Sequence, residues 1–128
     1  MSASKPPSIL LVDDEADVLD LLAVVFEREG FRTLMAPDGP TALSLAYDEL
    51  PDMILLDIMM PEMDGWQVLR ALKVDGRTSG IPVAMVSART EGRDKIIGLQ
   101  EGAVGYIDKP FSPAAVVAQV RAILEKRP

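Results

Sequence analysis

Two short apolar runs, each stopping at aspartate, constrain this chain more than any other feature. Ser8-Ile9-Leu10-Leu11-Val12 runs into Asp13-Asp14, and Met53-Ile54-Leu55-Leu56 closes at Asp57. Such runs read as strands buried on both faces of a parallel sheet, and ligand sites form beyond the carboxyl ends of such strands. Carboxylates crowded at one sheet edge repel each other unless a cation joins them or one keeps its proton. A divalent metal is the simplest relief, and it directs attention to phosphate chemistry.

Composition narrows the chemistry further. The chain has no cysteine and no histidine. Thiolate or imidazole zinc sites, Ser-His-Asp and Cys-His nucleophile systems and imidazole acid–base catalysis are therefore excluded. Oxygen ligands, lysine ammonium groups, hydroxyls and carboxylate nucleophiles remain, and oxygen-only sites suit magnesium, manganese or calcium. A length of 128 residues fits one domain. A net charge of −7 argues against direct nucleic-acid binding, which needs a basic stripe. No apolar stretch is long enough to span a bilayer, and Met1-Ser2-Ala3-Ser4-Lys5-Pro6-Pro7 lacks the apolar core of a signal peptide. Residues 1–7 are expected to be a disordered lead-in. Absence of cysteine suits a reducing cytosol, so a cytoplasmic location is expected.

Periodicity orders the elements. Val18, Leu21, Leu22, Val25 and Phe26 form one helical stripe ending at Gly30. Phe31 to Ala36 reads as a second strand, and Thr41 to Leu50 as a helix entered through Asp38-Gly39-Pro40. After the strand ending at Asp57, a loop leads through Asp64-Gly65 into a helix reaching about Val74. Ile81 to Val86 is a fourth strand, ending at Ser87; Arg93 to Glu101 is a weaker helix interrupted by Gly98. Val104 to Ile107 is a fifth strand, ending near Lys109-Pro110, and Ser112-Pro113 opens a last helix. Five strands alternating with five helices predict an α/β fold: a doubly wound parallel sheet with helices on both faces. A single domain over residues 8–126 is expected, with no output domain.

Asp13, Asp14, Asp57, Ser87 and Lys109 all fall at carboxyl ends of expected strands, so they share one sheet edge. If the first strand lies between the second and third, the three aspartates face one another. Singly, each of these groups has an ordinary use: a strand-end Asp as a helix cap, Ser87 in a turn, a lysine in solvent. Together they are specific. At Leu11-Val12-Asp13-Asp14-Glu15, Leu55-Leu56-Asp57-Ile58-Met59-Met60-Pro61, Met63-Asp64-Gly65, Val86-Ser87-Ala88 and Tyr106-Ile107-Asp108-Lys109-Pro110-Phe111, the chain resembles the receiver domain of two-component response regulators. The resemblance covers about Ser8 to Lys126 and implies the flavodoxin-like strand order 2-1-3-4-5.

The resemblance further implies a role for each residue. Asp57 is the phosphoacceptor, loaded from a phosphohistidine on a sensor histidine kinase or a histidine phosphotransfer protein. Magnesium, with manganese as an alternative, is held by Asp14, Asp57 and the backbone carbonyl of Met59, with Asp13 acting through a water. Lys109 pairs with one phosphoryl oxygen and Ser87 donates a hydrogen bond to another. The Lys109–Pro110 bond is cis and aims the ammonium into the site. Ser87 and Tyr106 form a two-state switch, in which Ser87 moves towards phosphate and Tyr106 turns inward. Such a protein is a signalling switch that promotes its own phosphorylation and slow dephosphorylation rather than a metabolic enzyme.

Three departures qualify the resemblance. Met59 and Arg89 flank the water entrance, and neither offers a carboxylate or amide, so a slowly hydrolysing phosphoaspartate is expected. Lys95 matches one base of the charge-paired dimer common among DNA-binding regulators, but Val104, Gly105, Ala115 and Gln119 replace its partners. A monomer or a weak or different dimer is expected instead. Trp66, just after Asp64-Gly65, is either a kinase-docking residue or simply part-buried. A dehalogenase-type phosphatase would want a second acid where Met59 stands. A flavin or nucleotide binder would not place Asp13-Asp14-Glu15 in its phosphate loop. A phosphorylation-independent binding module would not need all five polar groups. Whether the chain stands alone or belongs to a longer regulator stays open.

Overall fold

A computed structural model describes residues 5–87 and 101–126. Their elements are β1 (Ser8–Val12), α1 (Ala16–Arg28), β2 (Arg32–Ala36), α2 (Gly39–Glu49), β3 (Met53–Asp57), α3 (Gly65–Val74), β4 (Val83–Ser87), β5 (Gly105–Asp108) and α4 (Pro113–Glu125). The helix expected over 93–101 lies almost wholly outside the described residues. All strand pairings are parallel, in the order β2-β1-β3-β4-β5. The doubly wound sheet and its strand order are therefore those expected.

Alternation along each strand splits the core in two. Leu10, Val12, Ile54, Leu56, Val83 and Met85 face α2 and α3, where they meet Ala42, Ala46, Val68, Leu69 and Leu72. Ile9, Leu11, Met53, Leu55, Ala84 and Val86 face α1 and α4, meeting Leu22, Phe26, Val116 and Val120. β1, β3 and β4 are buried along their whole length, and so their sequences are continuous apolar runs rather than alternating ones. β2, at the sheet edge, exposes Arg32 and Met35.

Element ends differ from the sequence expectations by a residue or two, for local reasons. Phe31 is not in β2, because its N–H closes the end of α1 on the carbonyl of Phe26 at 2.9 Å while Gly30 takes φ 90°. That left-handed step ends the helix at little cost only for glycine. α2 starts at Gly39 rather than Thr41, since Asp38 caps it by accepting from the Thr41 N–H at 2.8 Å. Leu50 falls outside that helix as its left-handed cap residue (φ 46°). β4 begins after Pro82, which has no N–H to give the ladder, and β5 runs one residue later than expected, Gly105–Asp108.

Candidate functional site: an acidic pocket at the strand ends

With β1 between β2 and β3, the residues after β1 and the last residue of β3 come together. One carboxylate oxygen each from Asp13, Asp14 and Asp57 lies within 4.8 Å of the others. Asp13 and Asp57 are buried, 2% and 3% exposed, while Asp14 opens to solvent. Oxygen donors in such a cluster, partly buried and with one open side, suit a hard divalent cation of the magnesium type.

Lys109 enters from the loop after β5. Its backbone N–H donates to the carbonyl of Ser87 at 2.8 Å, which ties it to the end of β4. The Lys109–Pro110 peptide bond is cis. The Lys109 ammonium donates to Asp13 Oδ2 at 2.8 Å and lies 3.7 Å from both Asp57 Oδ1 and Glu15 Oε1. The short contact is a charge-assisted hydrogen bond; the longer ones are electrostatic only. Asp13 Oδ1 accepts from the Glu15 N–H at 2.9 Å, so both oxygens of Asp13 are engaged. Asp57 is held more loosely, accepting from the Met59 N–H at 3.4 Å.

Those contacts set the charge states. Burial pushes the Asp57 carboxyl up to about 6, and the Asp13 charge adds to it; Lys109 pulls the other way. Burial works against the Lys109 charge, but the hydrogen bond to Asp13 and the charges of Asp57, Asp13 and Glu15 outweigh it, so its pKa rises. The pocket thus holds one carboxylate paired with an ammonium and another whose negative charge is poorly compensated.

Ser87 is the last residue of β4 and is buried beside Asp57's strand. Tyr106 is half-buried on β5, and its carbonyl accepts from Gln119 Nε2 at 3.0 Å. The Met59 side chain is 71% exposed at the pocket rim. It lines a cavity of ≈ 450 Å³ with Ile58, Met60, Pro61, Asp64 and Trp66. Arg89 and Lys95 lie outside the described residues. Val104 and Ala115 are exposed and uncharged, and Gln119 is engaged with β5.

Three features of the site were not singled out from the sequence. Glu15 takes part in the Lys109 pairing, a role its adjacency to Asp13-Asp14 could have suggested. Gly65 packs its backbone against β3's end: its N–H donates to the Ile58 carbonyl at 2.9 Å, and a Cβ there would collide with the carbonyl of Asp57. Trp66 pairs with Tyr106, their ring centroids 6.4 Å apart, a contact between residues far apart in the chain.

A five-stranded doubly wound sheet with an acidic pocket and a lysine at its carboxyl edge marks an α/β domain whose polar site lies beyond the strand ends. The chain belongs to the response regulator receiver domain family, whose model matches residues 9–121. Family members are receivers of two-component systems, regulatory rather than metabolic, and are generally phosphorylated on aspartate. It is 44% identical to the DNA-binding response regulator MtrA of Mycolicibacterium paratuberculosis, over 92% of this chain and 51% of that protein. It is 41% identical to the phosphate regulon transcriptional regulatory protein PhoB of Escherichia coli, over 92% of this chain and 52% of that protein. The chain therefore spans about half the length of these curated relatives.

Among solved structures, it resembles the chemotaxis protein CheY4 of Vibrio cholerae, with TM-score 0.89 and 26% identity over 92% of this chain and 98% of that one. It also resembles the signal receiver domain of a histidine kinase from Syntrophus aciditrophicus, with TM-score 0.85 and 31% identity over 95% and 94% of the two chains. No helix among the described residues is long and apolar enough to cross a membrane.

Proposed function

We propose that residues 8–126 form one receiver unit that takes a phosphoryl group on Asp57 and changes its binding surface in response. The observation that carries this reading is the meeting of Asp13, Asp14 and Asp57 within 4.8 Å, with Lys109 3.7 Å from Asp57. An Asp57 oxygen attacks phosphorus as the bond to the donor histidine nitrogen breaks; with a proton on the ring's other nitrogen, neutral imidazole leaves and an aspartyl phosphate remains. Asp14, Asp57 and the Met59 carbonyl would hold magnesium, or manganese in its place, with Asp13 acting through a water. When bound, the metal supplies the charge neutralisation that a carboxylate needs before it can approach an anionic phosphoryl group.

The chain's own groups do the rest. Lys109 exchanges part of its pairing with Asp13 for a phosphoryl oxygen, which its 3.7 Å distance from Asp57 allows by a small movement of the side chain. Ser87 donates a hydrogen bond to a second phosphoryl oxygen, and Tyr106 turns into the space that Ser87 leaves. Met59, exposed at the rim, narrows the approach of water and lengthens the life of the phosphoaspartate. A sensor histidine kinase or histidine phosphotransfer protein is the donor, and this chain meets it in the cytoplasm. The output is a protein partner or an effector domain, reached by a monomer or weak dimer; the net charge of −7 disfavours contact with nucleic acid by this chain itself.

The test is intact-protein mass spectrometry after incubation with acetyl phosphate, with and without magnesium. A magnesium-dependent gain of one phosphoryl group, absent in Asp57→Asn, is expected. A wild-type chain that never gains the group, even at the earliest times sampled, would overturn the reading.

A further inference from the structure

Glycine opens α2 although nothing in its backbone demands glycine. Gly39 is the first residue of that helix and does not have a positive φ, and alanine is the better helix former. The space around it gives the reason. A Cβ on Gly39 would stand 2.6 Å from Met63 Sδ, 2.8 Å from its Cγ and 2.9 Å from its Cβ. The Met63 side chain therefore covers the first turn of α2, and Asp38, Thr41, Pro61 and Met63 line a cavity of ≈ 470 Å³ beside the contact.

Both partners border the acidic pocket. The turn that carries Gly39 starts at Ala36, whose carbonyl accepts from the Asp13 N–H at 3.2 Å. Met63 belongs to the loop between Ile58 and Gly65, which the 2.9 Å hydrogen bond from the Gly65 N–H to the Ile58 carbonyl closes into a ring. Met59 stands on that ring, its N–H donating to Asp57 Oδ1 at 3.4 Å. Two side chains draw the loop inward: Met60, buried in the core on the α2/α3 side of the sheet, and Met63 on Gly39. Between them Glu62 is held at φ 68°. A residue with a Cβ keeps that left-handed conformation only where its surroundings fix it.

We infer that Gly39 and Met63 form a clasp that positions the β3–α3 loop for metal binding: Gly39, lacking a side chain, admits Met63, and Met63 holds the short loop that carries Met59. Both act through the Met59 carbonyl, so they are positioning residues. The inference rests on the phosphoacceptor reading above and deepens it at the metal. In Gly39→Ala the loop itself must give way, because the Met63 Cβ cannot swing clear as a side-chain tip can. The closed ring then carries Met59 with it. The three aspartates and Lys109 lie outside that ring, so the loss falls on metal affinity rather than on the phosphoryl contacts.

Manganese is the probe, its free ion counted by electron paramagnetic resonance in the presence of the full chain. The pocket's share of binding is the part lost in Asp14→Asn. Gly39→Ala should weaken that share by about tenfold, the lower end of what losing a supporting residue costs a metal site. Gly76→Ala, where a Cβ meets nothing within 4 Å, should leave it unchanged. Met63→Ala removes the loop's anchor and two of the three obstructing atoms, so it should weaken binding on its own. In that background Gly39→Ala should cost less than about threefold further, since the two residues act as a unit. In phosphoryl uptake from acetyl phosphate, the magnesium needed for half the maximal rate should rise in Gly39→Ala, while the rate at saturating magnesium stays within about twofold of wild type.

A merely structural contact would lower stability without touching metal affinity. A folded Gly39→Ala with wild-type manganese binding therefore overturns the inference, as do independent effects of the two substitutions. Met63 is only half-buried, so Met63→Ala folds even where Gly39→Ala does not, and wild-type manganese binding in it also overturns the inference. A wild-type chain that neither holds manganese at the pocket nor gains a phosphoryl group defeats the phosphoacceptor reading, and this inference with it. A wild-type chain that does both, beside an indifferent Gly39→Ala, defeats this inference alone.

Discussion

Deprotonating Asp57 is harder than deprotonating an ordinary aspartate, because burial and the neighbouring Asp13 charge outweigh the attraction of Lys109. The folded chain therefore holds the Asp57 proton more tightly than the unfolded chain, with a carboxyl at about 6 against 3.8. The resulting penalty on stability is fully present above pH 6, shrinks as pH falls, and is gone below the unfolded value. Asp57→Asn, which removes the charge but keeps the shape, should be more stable than wild type at pH 7.5 without divalent metal, by on the order of 2 kcal/mol. Urea unfolding at pH 7.5 and pH 4.0 in chelator checks this: the difference should largely close at the lower pH, and an equal difference at both would contradict the assignment. Met59 offers a second test at this scale. An asparagine there gives an attacking water a hydrogen-bonding partner at the exposed rim, so Met59→Asn should shorten the phosphoaspartate lifetime several-fold or more. Decay followed by mass after removal of acetyl phosphate measures it, and no acceleration would count against the water-gate role.

The α3 start shows what an element contributes beyond its residues. Gly65 brings the helix backbone within hydrogen-bond reach of Ile58, and no side chain fits in the gap because the obstructing atoms are the backbone of Asp57 and Ile58 themselves. Gly65→Ala should destabilise the fold by on the order of 2–3 kcal/mol and lower phosphoryl uptake, since relief must come by moving Asp57. Gly76→Ala, where an added Cβ meets nothing within 4 Å, should stay within about 0.5 kcal/mol of wild type. Chemical denaturation of both variants distinguishes a close-approach requirement from a general preference for glycine. Elements were legible in the sequence to the degree that their signals were local. β1 and α3 were read with their actual bounds, because an apolar run and a capping Asp64 mark them without reference to the rest of the chain. β2 and β4 were read too long at their first residues, since Phe31 and Ile81 are apolar residues that pack beside a strand without joining its ladder. The Gly65 approach and the Trp66–Tyr106 pair depend on tertiary position, which no local pattern encodes.

At the scale of the molecule, the pocket concentrates negative charge that one lysine only partly offsets, in a chain whose net charge is already −7. That the five pocket residues share one edge was legible, because strand ends in a parallel sheet do so. The meeting of Asp13, Asp14 and Asp57 also needs β1 between β2 and β3, an order that the resemblance and not the residue pattern supplied. Their pairing was not legible: Lys109 favours Asp13 over Asp57 by 2.8 against 3.7 Å, a choice made by side-chain geometry after the sheet is built. The expected consequence is a folded state that would gain from a bound divalent cation. A ligand at ten times its dissociation constant stabilises the state that binds it by about 1.4 kcal/mol, which in a domain of this size raises Tm by about 3–6 °C. Magnesium should therefore raise the melting temperature by several degrees at pH 7.5, and chelator should reverse the shift. Sodium chloride at equal ionic strength should give a smaller shift, because screening acts on the whole surface and reaches the buried pair Asp13 and Asp57 only weakly. Asp14→Asn should lose most of the magnesium-specific part while folding normally, since Asp14 is exposed and its removal leaves the Lys109–Asp13 bond intact. Equal shifts from magnesium and sodium chloride would mean that the acids respond to screening alone and hold no ion between them.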